Sequence, residues 1–165
     1  MTMDLSPLSK AGAEIVRLAE GERGELGQAF LGVEHLFLAL VQAGGAESSA
    51  VFRAAGLERE RLSSTLRTWL RARGQEGAPR GNPTPRLERV LATAALVAAR
   101  TGAAGVEPLH LLAAVTADRR SVPGRMLDAL SGRGLPGSRA LAREAAEAVE
   151  AGGGAGAAAM TPEKK

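Results

Sequence analysis

The sequence predicts an all-α fold: eight short helices arranged as two tandem four-helix repeats related by a pseudo-twofold axis. Three observations carry that expectation. Apolar residues make up 45% of the chain but are mostly Ala, Leu and Val, with 3 Phe, 1 Trp and no Tyr, so the alternating branched and aromatic residues of sheets are missing. Glycine and proline divide the 165 residues into apolar segments that keep a helical period over roughly 8 to 18 residues. The third observation is self-similarity at a spacing of 75 residues.

The first helix is expected from an N-cap at Ser9 through Ile15, Leu18, Ala19 and Leu26 to Gly27. The second begins near Val33 and carries Leu36 and Leu40 to about Ala43, ahead of Gly44 and Gly45. A short third helix lies between Ser48 and Ala55. The fourth sets Leu62, Leu66, Trp69 and Leu70 on one face and ends before Gly74. From Gly74 to Pro83 the segment holds three Gly, two Pro and no aliphatic residue larger than Ala, which reads as a linker between halves. The fifth helix opens at Thr84-Pro85, a hydroxyl N-cap followed by proline at the first helical position, and runs to Arg100 ahead of Gly102. The sixth starts at Pro108, the seventh near Ser121, and the eighth spans about Ser138 to Glu150. The expected organisation is a double-repeat domain over 1–151, with repeat one at about 5–73, the linker at 74–83 and repeat two at about 84–150. Residues 152–165, with a Gly-Ala-rich run and a charged end, read as a flexible tail or a truncated linker.

Sliding the chain by 75 residues sets Ser9 on Thr84, Ile15 on Val90, Ala19 on Ala94 and Gly27 on Gly102. The same offset sets His35-Leu36 on His110-Leu111, and Ala39 on Ala114. The matches fall on a helix cap, a helix-ending glycine and a His-Leu pair opening a buried helix, which a tandem duplication explains. Neither unit of four short helices can bury its apolar faces alone, so the two are expected to pack on each other.

Several function classes are disfavoured by composition. No uncharged stretch reaches the roughly 18 to 20 residues of a membrane span, and the first ten residues hold Asp4 and Pro7 in place of an apolar secretory core. Cysteine is absent, which removes disulfides, zinc-thiolate sites and thiol nucleophiles; the cytoplasm is the default expectation. Net charge is only +3. Basic residues concentrate between Glu58 and Arg89, where eight Arg face four Glu, including Arg59, Arg67 and Arg71, and Trp69 is the one aromatic. A solvated helix face explains that stripe better than nucleic-acid binding, which would call for stacking aromatics.

The segment Phe30-Leu31-Gly32-Val33-Glu34-His35-Leu36-Phe37-Leu38-Ala39-Leu40 resembles the Val-Gly-Thr-Glu-His-Leu-Leu-Leu-Ala-Leu motif of the Clp repeat. Val106-Glu107-Pro108-Leu109-His110-Leu111-Leu112-Ala113-Ala114-Val115 is similar to a degenerate second copy, and the likeness extends over about Leu5 to Glu150. The resemblance implies the N-terminal domain of Clp ATP-dependent unfoldases. It implies a non-catalytic protein-interaction module, in the setting of chaperones, protein quality control and ATP-dependent proteolysis, that receives client and adaptor proteins and serves a Clp ATPase or protease complex. No Gly-x-x-x-x-Gly-Lys-Ser/Thr phosphate loop is present, so the chain is expected to lack the motor. It reads as a free-standing double repeat or as part of a longer unfoldase. The alternative reading is a free-standing helical regulator that binds a small ligand or peptide in the groove between repeats.

Neither histidine has Cys, or His at i+4, beside it to complete a metal set, and both fall at repeat-equivalent positions, so no metal, cofactor or catalytic role is expected for His35 or His110. A local hydrogen-bonding role at a helix start is expected instead. Glu34 stands at a helix N-terminus, where the macrodipole favours a carboxylate that can accept from a guanidinium. The resemblance further implies a site for phosphorylated arginine at such an acid together with the hydroxyl opening each repeat. Ser9 and Glu34 match that pattern in repeat one and Thr84 matches the hydroxyl in repeat two, with Lys10 or Arg86 as cationic help. Leu109 occupies the second acid's place and Glu107 lies two residues earlier, so at most one such site is expected to be intact.

Overall fold

A computed structural model of the chain describes residues 5–72, 82–131 and 137–160, with side chains except at 130, 131 and 153–160. Among them the eight expected helices follow in order: α1 Lys10–Leu26, α2 Val33–Ala43, α3 Gly45–Ala54, α4 Arg59–Ala72, α5 Pro85–Arg100, α6 Pro108–Ala117, α7 Val122–Ser131 and α8 Ser138–Met160. Helix α8 continues to Met160, past the end of its apolar pattern near Glu150. Most of the expected linker, and the last part of the expected tail at 161–165, lie outside the described residues.

Local chemistry sets the helix ends. The Ser9 hydroxyl accepts from the Gly12 N–H at 3.0 Å, and the Thr84 hydroxyl accepts from the Leu87 N–H at 3.1 Å, each satisfying one orphan donor of the first turn. Gly27 and Gly102 follow their helices at φ 70° and 77°, a left-handed conformation that side chains resist.

Helices α2 and α6 are apolar on nearly every face because each is surrounded: α2 packs against α1, α4, α6 and α7, and α6 against α5, α8, α3 and α1. Leu36, Phe37, Leu38, Leu111 and Leu112 are fully buried, and the Phe37 and Phe52 rings meet edge to face at 6.0 Å. In α4, Leu62, Leu66 and Leu70 are buried, whereas Trp69, expected on the same face, is 38% exposed. The leucine spacing of i, i+4, i+8 fills a narrow stripe and leaves Trp69 at its flank.

Two short parallel pairings were not foreseen. Strand β1, Phe30–Leu31, pairs with β2, Asn82–Pro83, in the register Phe30 to Asn82 and Leu31 to Pro83. A single bridge joins Leu8 to Val106 in the same sense. Residues 8 and 83, and 31 and 106, are repeat equivalents, so the two pairings are the same contact made twice. In each, the segment ahead of one repeat's first helix lies along the segment ahead of the other repeat's second helix. The Ser9 N–H donates to the Val106 carbonyl at 3.0 Å and the Thr84 N–H to the Leu31 carbonyl at 2.9 Å. Such reciprocity is what a pseudo-twofold relation requires.

At the Leu8–Val106 seam the backbones approach so closely that a Cβ on Gly12 would run into the Val106 carbonyl oxygen. Gly21 and Gly24, on the exposed side of the same helix, face open space. Ordinarily Gly→Ala inside a helix stabilises by about 0.5 to 1 kcal/mol. Gly21→Ala and Gly24→Ala are expected to follow that rule in thermal melts, and Gly12→Ala to lower the melting temperature. A stabilising Gly12→Ala would mean that the seam is looser than described.

Candidate functional site

The two seams gather the polar groups that the sequence singles out, but in a different pairing. Ser9, half-buried at the start of α1, donates through its hydroxyl to Glu107 Oε1 at 3.0 Å. The acid that Ser9 meets therefore belongs to repeat two. At the other seam Thr84 is held by its N–H to the carbonyl of Leu31, directly ahead of Gly32 and the helix that carries Glu34. Each seam thus brings the hydroxyl opening one repeat to the acid-bearing helix start of the other.

Glu34 and Glu107 reach that place from different sequence positions. A Cβ on Gly32, the N-cap of α2, would lie 2.6 Å from Glu34 Oε1 and 2.8 Å from Oε2, so the Glu34 carboxylate folds back over the cap into the space a side chain at 32 would take. The repeat equivalent of Gly32 is Glu107, the N-cap of α6. The space over the helix start is filled by the Glu34 carboxylate in repeat one and by the Glu107 side chain in repeat two. Leu109, equivalent in sequence to Glu34, is buried. A comparison by strict offset finds no second acid; the carboxylate has moved two residues along the chain.

Both histidines are buried third-residue caps of their helices. His35 Nδ1 accepts from the Gly32 N–H at 2.9 Å, and His110 Nδ1 accepts from the Glu107 N–H at 2.9 Å, the task a Glu or Gln performs in a capping box. Because Nδ1 accepts, the His35 proton sits on Nε2, which donates to Gln28 Oε1 at 2.7 Å. Gln28 Nε2 in turn donates to the Leu70 carbonyl at 2.9 Å, and the Gln28 carbonyl accepts from Arg23 at 2.6 Å. This buried chain ties α1, α2 and α4 together.

Of the expected cationic helpers, Arg86 is ion-paired with Asp118 at 2.5 Å, and Lys10 is exposed at the first position of α1. In the basic stripe, Arg67 pairs with Glu22 at 3.0 Å and Arg59 donates to the Ser49 hydroxyl at 3.0 Å. Among the described residues no group of three or more His, Cys, Asp and Glu is placed to hold a metal ion, and no helix is long and apolar enough to cross a membrane.

Burial pushes the His110 imidazole below its ordinary value near 6.5, against the opposing pull of Glu107 and then Glu47. Folding therefore disfavours the proton. Above that ordinary value neither state is charged and the histidine's contribution is fully present; as pH falls below it, the unfolded chain binds the proton first and stability declines. His110→Gln keeps an acceptor for the Glu107 N–H but cannot titrate. Denaturant melts across the weakly acidic range should show a shallower loss of stability for this variant than for the parent. Parallel curves would place the titrating group elsewhere.

The described residues meet known proteins at three levels. The profile of the Clp repeat (R) N-terminal domain matches residues 7–130. The negative regulator of genetic competence ClpC/MecB of Bacillus subtilis (strain 168) is 28% identical over 117 residues, which is 71% of this chain and 14% of that protein. The chain thus spans a small part of that relative's length. Among solved structures, the N-terminal domain of the caseinolytic protease associated chaperone ClpD from Arabidopsis thaliana superposes with a TM-score of 0.64 at 15% identity, over 88% of this chain and 96% of that one. The ClpV N-domain in its complex with a VipB peptide gives 0.66 at 15% identity, over 90% and 93%. At these identities the structural likeness speaks for the fold. The profile covers most of the chain and spans both His-Leu helices and both seams, so this chain belongs to the Clp repeat N-terminal domain family.

Proposed function

We propose that the chain is a non-catalytic receiving module, which docks client or adaptor proteins for a Clp unfoldase working in the cytoplasm. The observation that carries this reading is the doubled seam: Glu107, at the start of α6, accepts from the Ser9 hydroxyl of the opposite repeat, and at the other seam the Thr84 N–H is bonded to Leu31, on the segment leading into the helix that carries Glu34. A carboxylate at a helix start can accept from a guanidinium while a hydroxyl and helix N–H groups meet an anionic group attached to it. The ClpV N-domain complexed with a VipB peptide supports peptide docking as a use of this fold. Ligand recognition at the seams falls to Ser9 with Glu107 and to Thr84 with Glu34, and arginine-phosphorylated segments are the ligand class proposed for them.

Titration calorimetry with free phosphoarginine tests the site. Two comparable binding events are expected, one removed by Glu34→Ala and the other by Glu107→Ala. Losing one charge-assisted pair of about 1.5 to 3 kcal/mol weakens the affected seam roughly ten- to a hundredfold. Heat unchanged by either substitution, or no binding at all, would remove phosphoarginine from the proposal. Measurable turnover of ATP or peptides by the purified chain would overturn the module reading itself.

A further inference from the structure

Away from the seams, α3 of repeat one and α8 of repeat two pack on each other and wall an open groove of about 490 Å³, with Leu109 of α6 in its lining. That volume is in the range that accepts a ligand or a row of anchoring side chains. On α3 the lining residues are Glu47, Ala50, Val51 and Ala54, and on α8 Glu144, Glu147, Ala148 and Ala151, each set at the i, i+3, i+4, i+7 spacing of one helix face. Two helices therefore turn small side chains, with a few carboxylates at the border, toward an open groove. Its polar border is of one sign. Three carboxylates line the groove, no Lys or Arg does, and none of the three forms a salt bridge among the described residues.

We infer that this groove docks an amphipathic helix of a partner protein, with large aliphatic residues on its inward face and Lys or Arg along its flanks. The inference rests on reading the chain as an interaction module, and it names a second surface and a second ligand class for that module. Small alanines on both walls leave room for large anchors from the partner, which is how helix-in-groove recognition supplies affinity. The carboxylates select basic flanks and steer their approach. The same three carboxylates disfavour the other occupants. A second copy presenting this face would set Glu47, Glu144 and Glu147 against their own kind, and phosphate-bearing ligands would be repelled. Both walls are helices, so no sheet edge is offered to an extended strand.

The second repeat departs from the first here. The offset places Val122, Arg125 and Met126 where α3 has Glu47, Ala50 and Val51, and Trp69 where α8 has Glu144. Leu109 takes the position of Glu34. The acid-to-leucine exchange that separates the two motif copies thus adds apolar lining to the groove, while Glu107 keeps a carboxylate at the seam.

The test uses fluorescently labelled model peptides of about five helical turns, roughly 18 residues. One carries Leu at i, i+3, i+4, i+7 with Lys and Arg flanks, and its twin carries the same leucines with Glu flanks. The basic peptide is expected to bind and the acidic twin to fail. The double variant Glu144→Lys, Glu147→Lys should weaken the basic peptide by about tenfold, in line with rim ion pairs, and gain affinity for the acidic twin. Ala54→Trp, at an exposed wall position, should block the basic peptide with an unchanged melting temperature. Equal binding of the two peptides, or indifference to Ala54→Trp, would overturn the inference. So would a dimer, seen by light scattering, that Ala54→Trp dissolves, because the occupant would then be a second copy. Phosphoarginine titrated into the same variants separates the two proposals. Retained seam binding with no peptide binding removes the groove alone, and peptide binding without phosphoarginine removes the seam ligand alone.

Discussion

The backbone exchange at the two seams is the constraint on which the other features depend. Leu8 lies along Val106 and Leu31 along Pro83, so each repeat completes its start with a segment of the other. Four short helices cannot cover α2 or α6 alone, and the exchange locks the two central helices against each other as a shared core. It also fixes the polar groups at the helix starts. Ser9 and Thr84 cap their helices and hold the seam through their own N–H groups, so their hydroxyls cannot drift relative to the opposite repeat's helix start. Cap, seam and candidate site are one set of atoms, and a substitution there is read in stability as well as in binding.

Beneath that symmetry the two repeats are built by different means. Repeat one secures His35 with a buried polar chain through Gln28, Arg23 and the Leu70 carbonyl. The equivalent positions in repeat two are Ala103, Ala98 and Ala145. His110 retains the one interaction both copies share, acceptance from the N-cap N–H, because that bond ends the exposure of an orphan donor whatever lies behind the ring. The polar chain of repeat one needs every member, since a half-satisfied buried network costs more than an apolar one. Repeat two carries alanines in its place, and burial depresses the His110 proton affinity.

Helix order, caps and most core positions were legible in the sequence because they follow from periodicity and from residues with one dominant local use: Ser9, Thr84-Pro85, Gly27 and Gly102. The local role of the histidines was legible from the same repeat logic. The parallel pairings were not, since strands of two residues carry no period and their partners lie in the other repeat. That omission also explains the site. Reading Ser9 with Glu34 treats each repeat as self-contained, whereas the exchange pairs Ser9 with Glu107. Position-by-position comparison likewise hides Glu107, because a carboxylate can fill the same space from an N-cap or from two residues further on. Trp69 shows a smaller version of the same limit, in which helical spacing gives the face but not how wide the covering partner is.

Leu109 links the two levels of asymmetry. In repeat one the residue after the first helical position must carry the seam's acid, because Gly32 supplies none. In repeat two the N-cap itself supplies it, and position 109 is released from that duty. Once released, the position faces a surface that α8 reaches. An acid at 109 would add a fourth carboxylate to a groove already lined by three, with no cation among the described lining residues to offset it. Leucine there, 5% exposed, buries apolar surface and leaves the groove apolar. A fold that demands equivalence at its seams thereby leaves one helix position free to differ, and that difference is what separates the polar seams from the apolar lining of the groove.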